Sequence, residues 1–257
     1  MTSSTTSDQL KTETHETASD FTYGNRTGRG PGRTIRAMRM VLPGVKDVWG
    51  RVEPLAEAWR AHNVVTLGQP GRRWFALGDS LTQGVGASAL DAGWVGQLAK
   101  RLADTHQDLK IINLSATGAR VGDVLRQQVP VLELIGVSPD DLVTLMVGSN
   151  DLFGSRARRD MLPETFHELI DRLPVGSVVA TLPHASRSAT QVNDDIEAAA
   201  NAGRIVMADL RVTAPTSWRG RRADDFFHPN DAGYAAIATA LEPTLRAAVL
   251  SQQGDIS

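Results

Sequence analysis

From Arg72 onward, short apolar runs alternate with segments whose apolar residues recur at helical spacing. The strand candidates span 74–77, 110–114, 141–147, 177–182 and 204–208. Between them lie helix candidates carrying Trp94, Leu98 and Leu102, then Val121, Val124 and Leu125, then Phe166, Leu169, Ile170 and Leu173, then residues 196–200. A last helical pattern follows at Ile237, Leu241, Leu245 and Val249. Strand–helix alternation of this kind predicts an α/β domain with a central, parallel, five-stranded sheet covered on both faces.

The 257 residues give room for one such domain plus a tail, and 41% apolar residues suffice to bury a core. The chain has no cysteine, which excludes disulfides, thiolate catalysis and zinc–thiolate sites. A net charge of −2 argues against electrostatic nucleic-acid binding by the whole molecule. Residues 1–33 are rich in Thr, Ser, Gly and charge, and are expected to be a disordered polar tail. Residues 34–71 read as a basic segment and a docking helix, and residues 72–250 as the folded domain.

Between Arg26 and Arg51 stand seven basic residues against Asp47 alone, interleaved with Ile35, Met38, Met40, Val41 and Leu42. Two readings stand side by side: a solvated arm packing a few apolar side chains on the domain, or a weak contact of residues 26–51 with an anionic membrane surface. Val48, Val52, Leu55 and Trp59 have helical spacing, with Pro54 placing the helix start near itself. The N-terminus lacks a basic stretch followed by an apolar run, and no segment has the apolar length to span a bilayer, so the expected location is the cytoplasm.

In an open parallel sheet, ligands bind beyond the carboxyl ends of the strands. Those ends lead here into Gly78-Asp79-Ser80-Leu81, into the loop 113–118, into Gly148-Ser149-Asn150-Asp151 and into Pro183-His184. After the fifth strand, an Arg/Asp-rich loop leads to Asp225-Phe226-Phe227-His228-Pro229-Asn230. Parallel strands would bring all five loops to one rim.

A serine hydroxyl becomes a useful nucleophile when a base takes its proton. Histidine is neutral yet basic enough near neutral pH, and a carboxylate on its other ring nitrogen fixes the tautomer. Asp225 and His228 are three apart, so one loop can place both beside Ser80. The backbone N–H groups of Ser80 and Gly118 and the side-chain amide of Asn150 are candidate donors to a tetrahedral oxyanion.

These four blocks, in order, resemble the GDSL or SGNH family of serine hydrolases over roughly residues 73–245. Gly78-Asp79-Ser80-Leu81 matches the first block, Gly118 the second, Gly148-Ser149-Asn150-Asp151 the third, and Asp225-Phe226-Phe227-His228 the D-x-x-H block. The resemblance implies a flavodoxin-like three-layer α/β/α sandwich, with Ser80 as nucleophile, Asp225 and His228 as acid and base, and Ser80, Gly118 and Asn150 as oxyanion hole. No G-x-S-x-G elbow is present, which argues against the α/β-hydrolase fold proper.

Each residue also has a structural reading. Ser80 could be a helix N-cap, Asn150 a turn former and Gly118 a turn relief. Asp79 reads as a hydrogen-bonding residue that shapes the loop. Asp224 adjoins Asp225 but lacks the three-residue offset to His228. His62, His106 and His167 read as surface or cap residues, and His15 falls in the tail. Phe153 is a candidate wall of the acyl pocket, and His184 a candidate pocket residue.

No metal-ligand spacing and no dinucleotide glycine pattern appears, so neither metal nor cofactor is expected. The function expected is hydrolysis of small or short-chain acyl esters through an acyl-enzyme. The alternatives are acyl transfer to an alcohol or sugar acceptor at the same triad, and a membrane-associated binding module. The short gap from Asn150 to a helix expected near Pro163 leaves little room for a large lid.

Overall fold

The computed structural model describes residues 21–30, 32, 37, 38, 40–103 and 109–251. Its five strands, β1 (Arg73–Gly78), β2 (Lys110–Asn113), β3 (Leu142–Met146), β4 (Ser177–Ala180) and β5 (Ile205–Ala208), form one sheet in the order β2-β1-β3-β4-β5. Every pairing is parallel, with β1 registered against β2 from Arg73↔Lys110 to Ala76↔Asn113 and against β3 from Trp74↔Leu142 to Gly78↔Met146. The five strand expectations hold: β1 extends one residue past 74–77 at each end, and the other four strands are one or two residues shorter than the apolar runs.

Successive side chains on a strand point to opposite faces, and here both faces are apolar. Phe75, Leu77, Ile112, Leu114, Val143, Leu145 and Val179 face one core layer. The helical stretch 121–135, Arg156–Arg172 and Arg187–Asn201 cover it. Trp74, Ala76, Leu142, Met146, Val178 and Ala180 face the other, beneath Trp94–Leu102 and the C-terminal helix Asp231–Ser251. The result is the three-layer α/β/α sandwich of flavodoxin-like order, in which the strand sequence reverses between β1 and β3. A crevice opens at that switch point, at the carboxyl ends of the strands.

The edge of β2 is covered rather than open. Helix α1 (Pro43–Gly50) leads into α2 (Val52–Leu67), which lies beside β2. The Asn63 side chain exchanges two hydrogen bonds with the Asn113 backbone, donating from Nδ2 to the carbonyl at 2.7 Å and accepting the amide at 2.9 Å on Oδ1. It stands in for a neighbouring strand, and so blunts an edge that would otherwise offer unpaired backbone groups. Near it, His62 Nε2 lies 3.1 Å from the Ile111 carbonyl, and burial pushes the pKa of this imidazole down. His62 is thus an edge-covering residue.

Three expectations are corrected. Residues 21–30, assigned to a disordered tail, lie ordered against the domain. Phe21 and Tyr23 pack on the core, and Tyr23 donates its hydroxyl to the Leu114 carbonyl at 2.8 Å. Residues 1–20, 31 and 33 of that tail lie outside the described residues. The single helix expected from Pro54 is two helices: Val48 belongs to α1, and Pro54 is the third residue of α2. A first-turn N–H has no intrahelical acceptor, so proline is tolerated there. Pro163 does not begin a helix either; it lies inside Arg156–Arg172. Among the described residues no helix is long and apolar enough to cross a membrane.

Candidate active site

Strand β1 ends in Gly78, whose φ of 152° and surroundings admit no side chain. A Cβ there would lie 2.3 Å from the Met146 carbonyl oxygen and 2.4 Å from Thr82 Oγ1. The buried Gln128 side chain holds both backbone groups of Gly78, accepting its N–H at 2.9 Å and donating to its carbonyl at 2.8 Å. Gln128 closes the π-helical turn Val124–Gln128, an irregularity common near functional sites. Past this fixed glycine, Asp79 caps the short helix Ser80–Gln83 by accepting the Leu81 N–H at 2.9 Å. Ser80 is therefore the first helical residue, at the strand end beside the switch point.

The loop before the C-terminal helix folds into a tight hairpin, with Ala223 N–H donating to the His228 carbonyl at 2.8 Å. Phe226 takes a positive φ of 58°, which lets the chain reverse between Asp225 and His228. One Asp225 oxygen accepts the backbone N–H groups of Phe227 and His228, and the other lies 2.6 Å from His228 Nδ1. His228 Nε2 lies 3.1 Å from Ser80 Oγ. Ser80, Asp225 and His228 thus form one continuous chain of polar contacts, each residue less than a tenth exposed. Burial would raise the Asp225 carboxyl, but the bonds from His228 and from the two backbone amides outweigh it and hold the pKa below the usual carboxylate value. The carboxylate is ionised at neutral pH.

Asn150 follows β3 in the helix Ser149–Leu152 and donates from Nδ2 to the Ala119 carbonyl at 2.9 Å and to Asp79 Oδ2 at 3.3 Å. Gly118 sits in the loop after β2 at a φ of 76°. Its N–H has no acceptor among the described residues. Burial pushes Asp79 up to about 7, so this carboxyl is partly protonated at neutral pH. Ser80, Gly118, Asn150, Phe153 and His228 all line one groove of about 900 Å3. His184 does not line it. It packs edge-on against Phe153 with ring centroids 6.3 Å apart, one step behind the wall.

Several residues of the groove were missed in the sequence. Trp49, at the end of α1, stands edge-on to the His228 ring at 6.1 Å. Phe227 packs against both His228 (5.0 Å) and Phe153 (5.8 Å). Asn25 to Gly30 form much of the remaining wall. Asn25, fully buried, donates to the carbonyls of Asn113 and Ser115, and Arg26 bridges to Thr117 as a strand partner would. Arg29 donates to the Gly118 carbonyl at 2.9 Å and forks onto Asp123, one arm at 2.7 Å. The pairing with Asp123 raises the pKa of the guanidinium, and the carboxyl is lowered despite its burial. Phe227 carried a signal in the sequence, as the residue before His228 in the Asp225–His228 block; Trp49 and residues 25–30 carried none.

Residues 76–236 match the model of the GDSL-like lipase/acylhydrolase family. The chain belongs to that family. It is accordingly a carboxylic ester hydrolase of the GDSL type. The fold is shared with TesA, at a TM-score of 0.57 and 21% identity over 69% of this chain and 99% of that one. It is shared too with the psychrotrophic esterase EstA from Pseudoalteromonas sp., at 0.55 and 18% identity over 68% and 97% of the two chains. A variant of Axe2, an acetyl xylan esterase from Geobacillus stearothermophilus, gives 0.52 and 18% over 68% and 94%. No curated protein matches the sequence. The family match begins at residue 76, so the strap 21–30 and helices α1 and α2 lie outside it.

Proposed function

We propose that this enzyme hydrolyses small or short-chain acyl esters through an acyl-enzyme on Ser80. The reading rests on the unbroken contact from Ser80 Oγ through His228 to Asp225, opening into the groove. Ser80 Oγ attacks the acyl carbonyl while His228 Nε2 takes its proton. Asp225, on Nδ1, keeps the imidazole in the tautomer that presents a lone pair to the serine and stabilises the imidazolium that forms. The charge developing on the carbonyl oxygen is met by the N–H of Ser80, at a helix start without an intrahelical acceptor, and by the N–H of Gly118. One Asn150 N–H stays on Ala119; the other, whose 3.3 Å contact with Asp79 is long, turns to the oxyanion. His228 then protonates the leaving alcohol, and the same base activates water to release the acid.

What supports small acyl groups is the row of rings in the groove beside His228: Trp49 and Phe227 stand edge-on to His228, and Phe153 to Phe227. The acetyl xylan esterase and the esterase EstA that share this fold are in keeping with this reading. Hydrolysis of p-nitrophenyl esters from acetyl to palmitoyl tests it. Activity should peak at short chains and fall on the order of a millionfold in Ser80→Ala and His228→Ala, the scale known for serine triads. A maximum at long chains would refute the substrate size, and full activity in either variant would refute the assigned roles.

A further inference from the structure

The groove that holds Ser80 carries three arginines, Arg26, Arg29 and Arg120, and two of them are each held by a carboxylate partner. Arg26 is held by Glu53, Glu57 and the Gly24 carbonyl. Arg29 is held by Asp123 and the Gly118 carbonyl. The Arg120 guanidinium has no hydrogen bond or ion pair among the described residues, although its five N–H donors border the same space.

The carboxylates around it are occupied elsewhere. Asp123 takes Arg29, the Arg120 backbone N–H at 2.9 Å and, more distantly, Arg126. Asp151 accepts the Val121 N–H at 3.1 Å and is itself pushed towards protonation by burial. Partial burial lowers the Arg120 pKa, repulsion by Arg29 and Arg158 adds to it, and the attraction of Asp123 and Asp151 offsets them only in part. A half-buried cation with open donors, beside the cations Arg29 and Arg158, is an arrangement that a hydrogen-bonding anion would satisfy.

Its place in the chain ties it to the reaction. Arg120 is two residues after Gly118, within about 7 Å of backbone reach of a candidate oxyanion donor. A group bound on Arg120 would share one groove with a carbonyl at Ser80. We propose that Arg120 recognises an anionic substituent, a carboxylate, phosphate or sulfate, carried by the ester substrate near the scissile bond. The inference rests on the ester-hydrolase reading of the groove and adds the charge of its substrate.

Two matched pairs of esters test it and show which side of the bond carries the charge. On the acyl side, mono-p-nitrophenyl glutarate is compared with p-nitrophenyl pentanoate. On the alcohol side, 4-acetoxybenzoate is compared with its methyl ester. In at least one pair kcat/KM should favour the anionic ester by about tenfold to a hundredfold, the size of a charge-assisted hydrogen bond at a half-desolvated site. Arg120→Gln should remove that ratio, Arg120→Lys should keep part of it, and salt should weaken it. Cleavage of the neutral esters with no anionic preference in either pair, or a preference that survives in Arg120→Gln, overturns the inference while leaving the ester-hydrolase reading intact.

Cleavage of none of the four would count against that reading instead. Equilibrium binding to Ser80→Ala protein decides the matter independently of turnover. The anionic glutarate ester should bind more tightly than the neutral pentanoate by a similar factor, and the difference should vanish when Arg120→Gln is added. Equal binding of the two esters refutes the assignment.

Discussion

Arg29→Met cuts the tie between the N-terminal strap and the loop that carries Gly118. The guanidinium it removes forks onto Asp123 and donates to the Gly118 carbonyl at 2.9 Å. Asp123 is 4% exposed and Arg29 37% exposed, so the pair is half buried. Stranding one partner of a fully buried pair costs about 3–5 kcal/mol. Here Asp123 keeps the Arg120 N–H and the distant Arg126, and the cation is partly solvated, which reduces the expected loss to about 2 kcal/mol. For a domain of this size that is a fall in Tm of roughly 4–8 °C.

Catalysis should suffer separately. Complete loss of one oxyanion donor costs about 10²–10³ in kcat, so a Gly118 amide left in place but less firmly aimed should cost about tenfold. The assay is thermal unfolding together with kcat and KM for p-nitrophenyl acetate, with Arg29→Lys alongside. Lysine restores the charge without the fork, so it should recover more Tm than kcat. An unchanged kcat in Arg29→Met would refute the claim that the strap aims the loop, and an unchanged Tm would refute the burial argument.

Two further outcomes follow from the site. Asp79 has a folded-state pKa near 7, above its ordinary 3.8, so the folded protein holds this proton more tightly than the unfolded chain. Its favourable contribution is complete below about pH 4 and is lost as the pH rises through 7, a change of roughly 4 kcal/mol. Asp79→Asn, which keeps the N-cap and does not titrate, should therefore gain stability relative to wild type between pH 4 and pH 8 in parallel thermal melts; a constant difference across that range would contradict the shifted carboxyl. Trp49→Ala removes an aromatic wall of the groove beside His228, and should raise the relative activity on octanoyl over acetyl esters; an unaltered chain-length profile would show that Trp49 does not bound the acyl site.

The central sheet was legible because its inner strands β1, β3 and β4 are buried on both faces and its edge strands nearly so, so that each reads as an apolar run bounded by turn residues. The rim was legible because the polar residues that break those runs, at Ser80, Gly118, Asn150 and His228, all follow carboxyl ends of parallel strands or the last loop. The helix boundaries at Pro54 and Pro163 were misread because proline marks a start only on average; at the third position of α2 it obeys that rule two residues late, and inside Arg156–Arg172 the helix simply continues.

The strap was illegible for a different reason. Residues 21–29 have no apolar period to detect. Their order comes from single side chains meeting backbone groups about ninety residues away, as Tyr23 meets Leu114 and Asn25 meets Asn113. Asn25 does so from a positive φ of 54°, a conformation that asparagine tolerates but that no local pattern announces. The same long-range pairing left Arg26 and Arg29 looking like members of a loose basic run, when in the fold each is held by carboxylates.

Covalent trapping reads whether Ser80 is an activated nucleophile in this chain. The protein is incubated with a p-nitrophenyl alkylphosphonate, and the adduct is mapped by mass spectrometry of its peptides. One phosphonyl group per chain is expected, on Ser80, formed rapidly in wild type, slowly in Asp225→Asn and not at all in Ser80→Ala. An adduct on another residue, or an equal rate of labelling in wild type and His228→Ala, would contradict it.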